Sequence, residues 1–311
     1  MIRATVGLLA AHPRLTALLG ALSITFSGIL YRYAEVSPET GSFFRAFYGL
    51  PILFVAAFIE RRRAAQLSAR GALWAAFAGL LFAADLIFWH RAIDAVGAGL
   101  AIVLGNLQVV VVAVGAWLLF RERPDNRTLV ALPVILLGVV LIAGVLGGEA
   151  YGVDPPLGVL LGVLTALAYG GYLIVIRRVG GRVFAQPVAV STASTAAIAL
   201  AVGLALGTID LVPSWPSHLW LALLGITAQS LGYLFISLSL PRLPAVVTSV
   251  ILLAQPVLAV FLAMILVAEN PSTGQLAGVA LVIGGIALAT VPLRGLRRRV
   301  LKRARSPHST G

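Results

Sequence analysis

The chain has 311 residues, of which 60% are hydrophobic and only 11% are charged, and it contains no cysteine. A mean hydropathy of +1.01 exceeds what a soluble core requires, so the composition predicts a membrane protein. The lack of cysteine excludes disulfides, thiolate metal ligands and cysteine nucleophiles. The net charge of +12 arises from short basic clusters between apolar runs, a pattern that sets membrane orientation and does not indicate a nucleic-acid partner.

Ten apolar runs are each long enough to cross about 30 Å of hydrocarbon as a helix. We therefore predict an all-α membrane protein with ten transmembrane helices. The connections between the runs are short and carry turn residues, so none of them is a separate domain. In chain order the runs are 15–34, 40–59, 71–92, 95–119, 128–146, 157–178, 187–206, 218–240, 244–267 and 273–292.

The distribution of positive residues predicts the orientation, because Lys and Arg are retained on the cytoplasmic side. If every run spans, all Lys and Arg residues except Arg32, Arg45 and Arg91 fall on the side of the two termini. We therefore expect an integral protein of the cell (inner) membrane with cytoplasmic N- and C-termini. Residues 293–311 then form a basic cytoplasmic tail.

The two halves of the chain repeat each other at a constant offset of 147 residues. An offset that is kept through a helix, a turn and the next helix indicates duplication of a multi-helix unit. The units are 1–147 and 153–292, with five spans each. Because five is odd, the second unit enters the membrane from the opposite face, and inverted repeats of this kind recur in secondary transporters. The matched pairs are Gln108 with Gln255, Glu122 with Glu269, Pro124 with Pro271, and Gly138 with Gly285.

Several motifs resemble the EamA-type members of the drug/metabolite transporter superfamily. Arg45 lies early in the second span, and Pro256 begins an apolar run that ends in Glu269 and is followed by a Gly-containing span. The chain departs from the pattern at Val109, where the first half would have its Pro, and in span 187–206, which has no Arg. The resemblance implies transport of small organic solutes across a lipid bilayer, including export of amino acids, other metabolites or toxic compounds.

Arg45 and Asp85 are the only charged residues well inside the apolar runs. An ionised side chain at a helix centre costs about 2.5–3.5 kcal/mol on insertion scales, so such residues usually face a partner or a watery cavity. Both lie at a similar depth in the non-cytoplasmic half, which predicts that they come within reach of each other. Two interpretations remain open, a structural salt bridge and a role in handling substrate or protons.

Two further residues follow Asp85 on the same span. Trp89 shares its helical face, where an indole ring beside a carboxylate can hold an organic cation or stack on an aromatic solute. The alternative is an interfacial belt residue. His90 is a candidate proton relay, although we expect it to lie at a solvated helix end.

Polar and aromatic residues near mid-span are further cavity candidates. Unsatisfied amides are expensive in a membrane, so these residues either line a cavity or hydrogen-bond neighbouring helices together. Gln108 and Gln255 are equivalent in the repeat. The candidate amides are Asn106, Gln108, Gln229 and Gln255, and the candidate tyrosines are Tyr169, Tyr172 and Tyr233.

Two features of the repeat predict mechanical roles. Pro256 removes a backbone donor within its span, so the helix can bend there, either as a gate or as a tolerated kink. Glu122 and Glu269 each precede a Pro-containing turn, and we expect each carboxylate to sit over the exposed N–H groups of the next helix.

The leading hypothesis is a secondary transporter, with a small-molecule substrate and a proton as candidate coupling ion. An uncoupled facilitator remains an alternative, and a polytopic membrane enzyme is a weaker one, because the sequence has no HExxH motif and no Walker loop. We expect no cofactor, and either a monomer or a homodimer.

Overall fold

The computed structural model describes residues 12–63, 66–111, 114, 118, 126–144, 150–180, 183, 185–235, 243 and 245–290. The basic tail, Glu122 and Pro124 lie outside the described residues. Within them the regular structure is entirely helical. The prediction of an all-α fold is confirmed.

The helices fall into two groups along the chain. The first group is α1 (Pro13–Thr25), α2 (Ser27–Ala34), α3 (Pro38–Arg63), α4 (Ala69–Val96), α5 (Ala98–Gly105) and α6 (Asn126–Ile142). The second group is α7 (Pro155–Gly180), α8 (Ala185–Leu206), α9 (Trp215–Leu224), α10 (Ala245–Leu266) and α11 (Thr273–Thr290).

Six helices are long and apolar enough to cross a membrane, and each corresponds to a predicted span. The four other predicted spans contain shorter apolar helices within the described residues, so the number of ten crossings stays a prediction. The six are Pro13–Ala34, Pro38–Arg62, Ala69–Val96, Pro155–Ile176, Ala185–Leu206 and Trp215–Phe235. The four shorter ones are Ala98–Val111, Leu129–Ile142, Ala254–Leu266 and Thr273–Leu288.

Two local departures from regular helix geometry occur in the described residues. Gly97 ends α4 with a φ of +92°, a conformation that favours glycine, and α5 begins at the next residue. The chain from Gly225 to Gly232 forms a π-helix directly after α9. π-helical turns are rare and frequently occur at functional sites, because the wider turn changes which side chains share a face.

Helix starts and helix contacts both follow the repeat. Three pairs of helices start at the 147-residue offset, at Pro38 and Ala185, Ala98 and Ala245, and Asn126 and Thr273. The members of each pair also pack against each other, as α3 with α8, α5 with α10, and α6 with α11. A helix that packs on its own repeat counterpart is what a two-fold arrangement of the halves produces.

The contact between α6 and α11 depends on two glycines. A Cβ on Gly138 would lie 2.7 Å from the carbonyl oxygen of Gly278, and one on Gly278 would lie 2.6 Å from that of Gly138. The repeat-related contact also exists, because a Cβ on Gly285 would lie 3.4 Å from the carbonyl oxygen of Ala131. At Gly138 and Gly278 the backbones therefore approach more closely than any side chain allows.

We predict that Gly278→Ala destabilises the protein by about 1–3 kcal/mol, because its Cβ forces the two backbones apart. Gly284→Ala on the same helix is the matched control, since a Cβ there meets nothing within 4 Å. Thermal unfolding in detergent measures both changes. Equal melting temperatures for the two variants would contradict the close approach.

Candidate functional site

A cavity of about 340 Å³ lies between the two groups of helices. Its size is at the lower end of the range for small-molecule pockets. Nine of the predicted site residues line it, namely Arg45, Asp85, Trp89, Asn106, Gln108, Tyr169, Tyr172, Tyr233 and Gln255. Gln229 and Pro256 are not among the lining residues.

Arg45 is 4% exposed and is held in place from two sides. Its Nε donates to Oε1 of Gln229 at 3.2 Å, and its guanidinium carbon lies 5.2 Å from the centre of the Trp89 ring. Gln229 is oriented in turn, because its amide nitrogen donates to the Thr192 hydroxyl at 3.2 Å. Among the described residues, the terminal guanidinium nitrogens have no hydrogen-bond partner. They are therefore available to an anionic group in the cavity.

Asp85 is 7% exposed and lines the same cavity. Within the described part of the chain, its carboxylate forms neither a hydrogen bond nor an ion pair, whereas Arg91 on the same helix is paired with Glu39. The salt-bridge interpretation of Arg45 and Asp85 is therefore not supported by a direct contact. A buried carboxylate without a partner is costly, so this geometry favours an external cation or a proton on Asp85.

Aromatic residues form one wall of the cavity beside Asp85. The ring centres of Phe82 and Tyr172 are 4.7 Å apart, and those of Tyr169 and Tyr172 are 5.7 Å apart, both in stacked geometry. Tyr233 meets Phe82 edge-on and is hydrogen-bonded to Tyr169. This wall provides a largely apolar surface against which the uncharged part of a solute can pack.

The mid-span amides have different environments. The Asn106 amide donates to the carbonyl of Ile102 in its own helix at 2.8 Å, and that of Gln255 reaches the carbonyl of Ala21 at 3.5 Å. Oε1 of Gln108 is buried, and no described residue is its hydrogen-bond partner. Gln108 lines the cavity, but this oxygen has almost no accessible surface, so a solute reaches it only if the amide turns. Pro256 lies inside α10, which is continuous over it, and its gating role stays a prediction.

The structure corrects the interpretation of His90. His90 is completely buried, where we expected a solvated helix end. Its Nδ1 lies 2.8 Å from the Ser42 hydroxyl, and its ring stacks on Tyr31 with centres 4.1 Å apart. The adjacent Arg91 bonds Glu39 at 2.6 Å, so α3 and α4 are fastened together beyond the cavity.

The contact made by Glu269 also differs from the predicted one. Its carboxylate accepts hydrogen bonds from the backbone N–H groups of Ala98 and Gly99, at the start of α5, and not from the helix that follows it. Burial raises the pKa of Glu269, whereas the bonds from Gly99 and Ala98 and the charge of Arg32 act against that rise. The carboxylate thus joins the second half of the chain to the first.

Sequence reasoning missed several residues at the site. Thr165 and Ser27 line the cavity, and Thr192 supports Gln229. Hydroxyl residues are common within membrane helices and usually bond their own backbone, so no local signal separates these from the rest. Among the residues that the structure describes, no group of His, Asp and Glu is arranged to hold a metal ion.

Comparison with solved structures shows the fold. One crystal structure superposes with a TM-score of 0.63 at 21% sequence identity, covering 93% of this chain and 99% of the other. An uncharacterised protein of Pseudomonas aeruginosa is 32% identical over 292 residues, which is 92% of this chain and 96% of that protein.

The EamA-like transporter family profile matches twice, at residues 14–144 and again at residues 156–291. The two matches together cover most of the chain and contain all the helices that bear the cavity-lining residues. The chain therefore belongs to the EamA-like transporter family, within the drug/metabolite transporter superfamily, and is an integral membrane protein.

Proposed function

We propose that the protein is a secondary transporter that exports small organic solutes by alternating access of two inverted five-helix repeats, 1–147 and 153–292. Family membership supports transport. The packing of α3, α5 and α6 on their repeat counterparts supports a two-fold relation between the halves. An odd number of spans in each half makes that relation an inversion across the membrane.

The position of the cavity supports an inward-facing state. One end of the cavity, which we call the Glu269 end, is closed by residues that are almost fully buried. They are Val96, Ala98, Leu100 and Glu269. At the other, which we call the Glu60 end, the cavity extends to Ile176 and Val188, each within about one turn of its helix terminus. With cytoplasmic termini, the Glu60 end faces the cytoplasm and receives solute for export.

The observation that carries the proposal is the presence of two opposite charges in one cavity without a direct bond between them. Arg45 offers free donors to an anionic group, and Asp85 offers acceptors to a cationic one. A zwitterionic solute such as an amino acid satisfies both, with its side chain against the aromatic wall. When no solute is bound, a proton on Asp85 removes the unpaired negative charge, which couples solute export to proton entry.

Transport by purified protein in proteoliposomes tests this function. The probes are L-leucine and L-phenylalanine, with their N-acetyl derivatives and amides as controls that each lack one charge, and tetraphenylphosphonium as a purely cationic solute. We expect counterflow of the zwitterions and at least about tenfold less of either control, since a lost charged hydrogen bond is worth about 1.5–3 kcal/mol.

The alternatives give different results in the same assay. An uncoupled facilitator would equilibrate the probes without responding to a proton gradient. Exchange of tetraphenylphosphonium alone would leave transport standing but would refute the zwitterionic solute. Chemical conversion of a probe, measured by mass spectrometry of the vesicle contents, would favour a membrane enzyme.

A further inference from the structure

The Glu269 end of the cavity is closed by one compact junction between the two halves. Glu269 follows α10 in the second half, and its carboxylate binds the N–H groups of Ala98 and Gly99 at the first turn of α5 in the first half. Glu269 is 3% exposed. On the same side, the Tyr33 hydroxyl donates to the carbonyl of Leu266 at 2.7 Å, which is a second bond between the halves.

We propose that Glu269 and the N-terminus of α5 form a latch that closes this end of the cavity and is released in each transport cycle. The inference rests on the proposed function only for the existence of a cycle.

The geometry places the latch directly over the cavity. Ile102 lines the cavity and lies one helical turn beyond Ala98 on α5. The surfaces around the carboxylate fit closely, because a Cβ on Gly99 would lie 2.9 Å from the Cα of Val260, on α10. Moving α10 away from α5 would therefore break the carboxylate bonds and open a path from Ile102 to the Glu269 end.

The bond chemistry suits a contact that opens and closes. The first N–H groups of a helix have no partner within the helix, and the positive end of the helix dipole favours a carboxylate there. The Glu269 carboxylate and the backbone N–H groups of α5 are both readily hydrated. When the junction opens to water, each group exchanges a protein partner for a water partner, and neither is left buried without a hydrogen bond.

The loop that carries Glu269 is held in a conformation that the latch requires. Ala268 has a φ of +52°, in the left-handed region that non-glycine residues rarely adopt. The N–H of Glu269 donates to the carbonyl of Ala263, which turns the side chain away from its own helix. The carboxylate therefore points at α5 because the backbone directs it there.

A matched contact exists at the opposite end of the molecule. Glu60 accepts hydrogen bonds from the N–H groups of Ala185 and Gln186, at 3.1 and 3.0 Å, at the first turn of α8. Glu60 lies on α3 about 30 Å along the helix from Glu39, at 1.5 Å per residue. The same chemistry thus occurs on the side where the cavity approaches the helix termini, and Glu60→Gln is the control for simple loss of a helix cap.

Cysteine accessibility tests the latch without any transported solute. The chain has no cysteine, so Ile102→Cys is labelled only at the cavity. A membrane-impermeant sulfonated maleimide is added separately to each side of the membrane, in intact cells and in inverted vesicles. With Glu269 present, we expect fast labelling from the Glu60 side and slow labelling from the Glu269 side.

Glu269→Gln should raise the rate of labelling from the Glu269 side about tenfold, equivalent to about 1.4 kcal/mol. Glu60→Gln should not raise it. Gly99→Ala provides an independent variant, because it keeps the carboxylate but wedges α5 from α10, and it should act in the same direction as Glu269→Gln.

Two results would overturn the proposal. The first is a lowered melting temperature for Glu269→Gln and Gly99→Ala with labelling unchanged from either side, which would make the contact a static helix cap. The second is an equal effect of Glu60→Gln on labelling from the Glu269 side. A failed transport assay with unchanged labelling shifts would refute the proposed solutes and leave the latch in place.

Discussion

Asp85→Asn should abolish proton-driven accumulation of solute while leaving a folded protein. The carboxylate of Asp85 has no protein partner among the described residues, so its neutralisation breaks no bond that stabilises the fold. Asparagine keeps the shape and an acceptor oxygen but cannot take up a proton. We expect counterflow of a zwitterion to persist, with affinity reduced about 10-fold to 100-fold by loss of one charged hydrogen bond.

The measurement is gradient-driven uptake and thermal unfolding of the same preparation. If Asp85 instead clamped Arg45, its loss would leave a buried charge uncompensated, and stability would fall by about 3–5 kcal/mol. Unchanged accumulation with a lowered melting temperature would refute the coupling role. The repeat also argues against an architectural need for this carboxylate, because Gly232 occupies the equivalent position in the second half.

The membrane fold was largely predictable from the sequence. Apolar runs of sufficient length predict helices because the bilayer leaves the backbone no other partners. The constant offset between Gln108 and Gln255, or Gly138 and Gly285, predicted a duplicated unit, and the family profile matches two consecutive repeats. The cost of a charge in hydrocarbon directed attention to Arg45 and Asp85, and both side chains line the cavity.

Contacts between segments that are far apart in the sequence could not be predicted from apolar runs and the repeat. Glu269 binds a helix that starts about 170 residues earlier, and only the glycines at 97 and 99 hint at the close approach. Gln229 accepts a hydrogen bond from Arg45 and lies in the π-helical segment. The hydrophobic pattern of the sequence did not predict this segment, in which side chains point in directions that differ from those of an α-helix. His90 was misjudged because its burial depends on Tyr31 and Ser42, which belong to other helices.

Arg45→Lys should raise the half-saturating concentration of a zwitterion about tenfold or more, although the charge is kept. The bond from Nε to Gln229 and the stacking on Trp89 fix the plane of the guanidinium, which leaves its terminal nitrogens to bind a carboxylate in parallel. A lysine ammonium has neither the fork nor a donor at the Nε position. Gln229→Leu is the companion variant, because it removes the orienting bond without touching the charge.

Comparing an amino acid with its amide separates a loss of carboxylate binding from a general loss of protein structure. For an amino acid amide, which has no carboxylate, Arg45→Lys should change the half-saturating concentration little, so the loss should depend on the ligand's anionic group. The maximal rate and the melting temperature, measured in parallel, report any structural effect of leaving the Gln229 oxygen without its donor. An equal loss for the amino acid and its amide would show that Arg45 supports the cavity wall and does not bind the carboxylate.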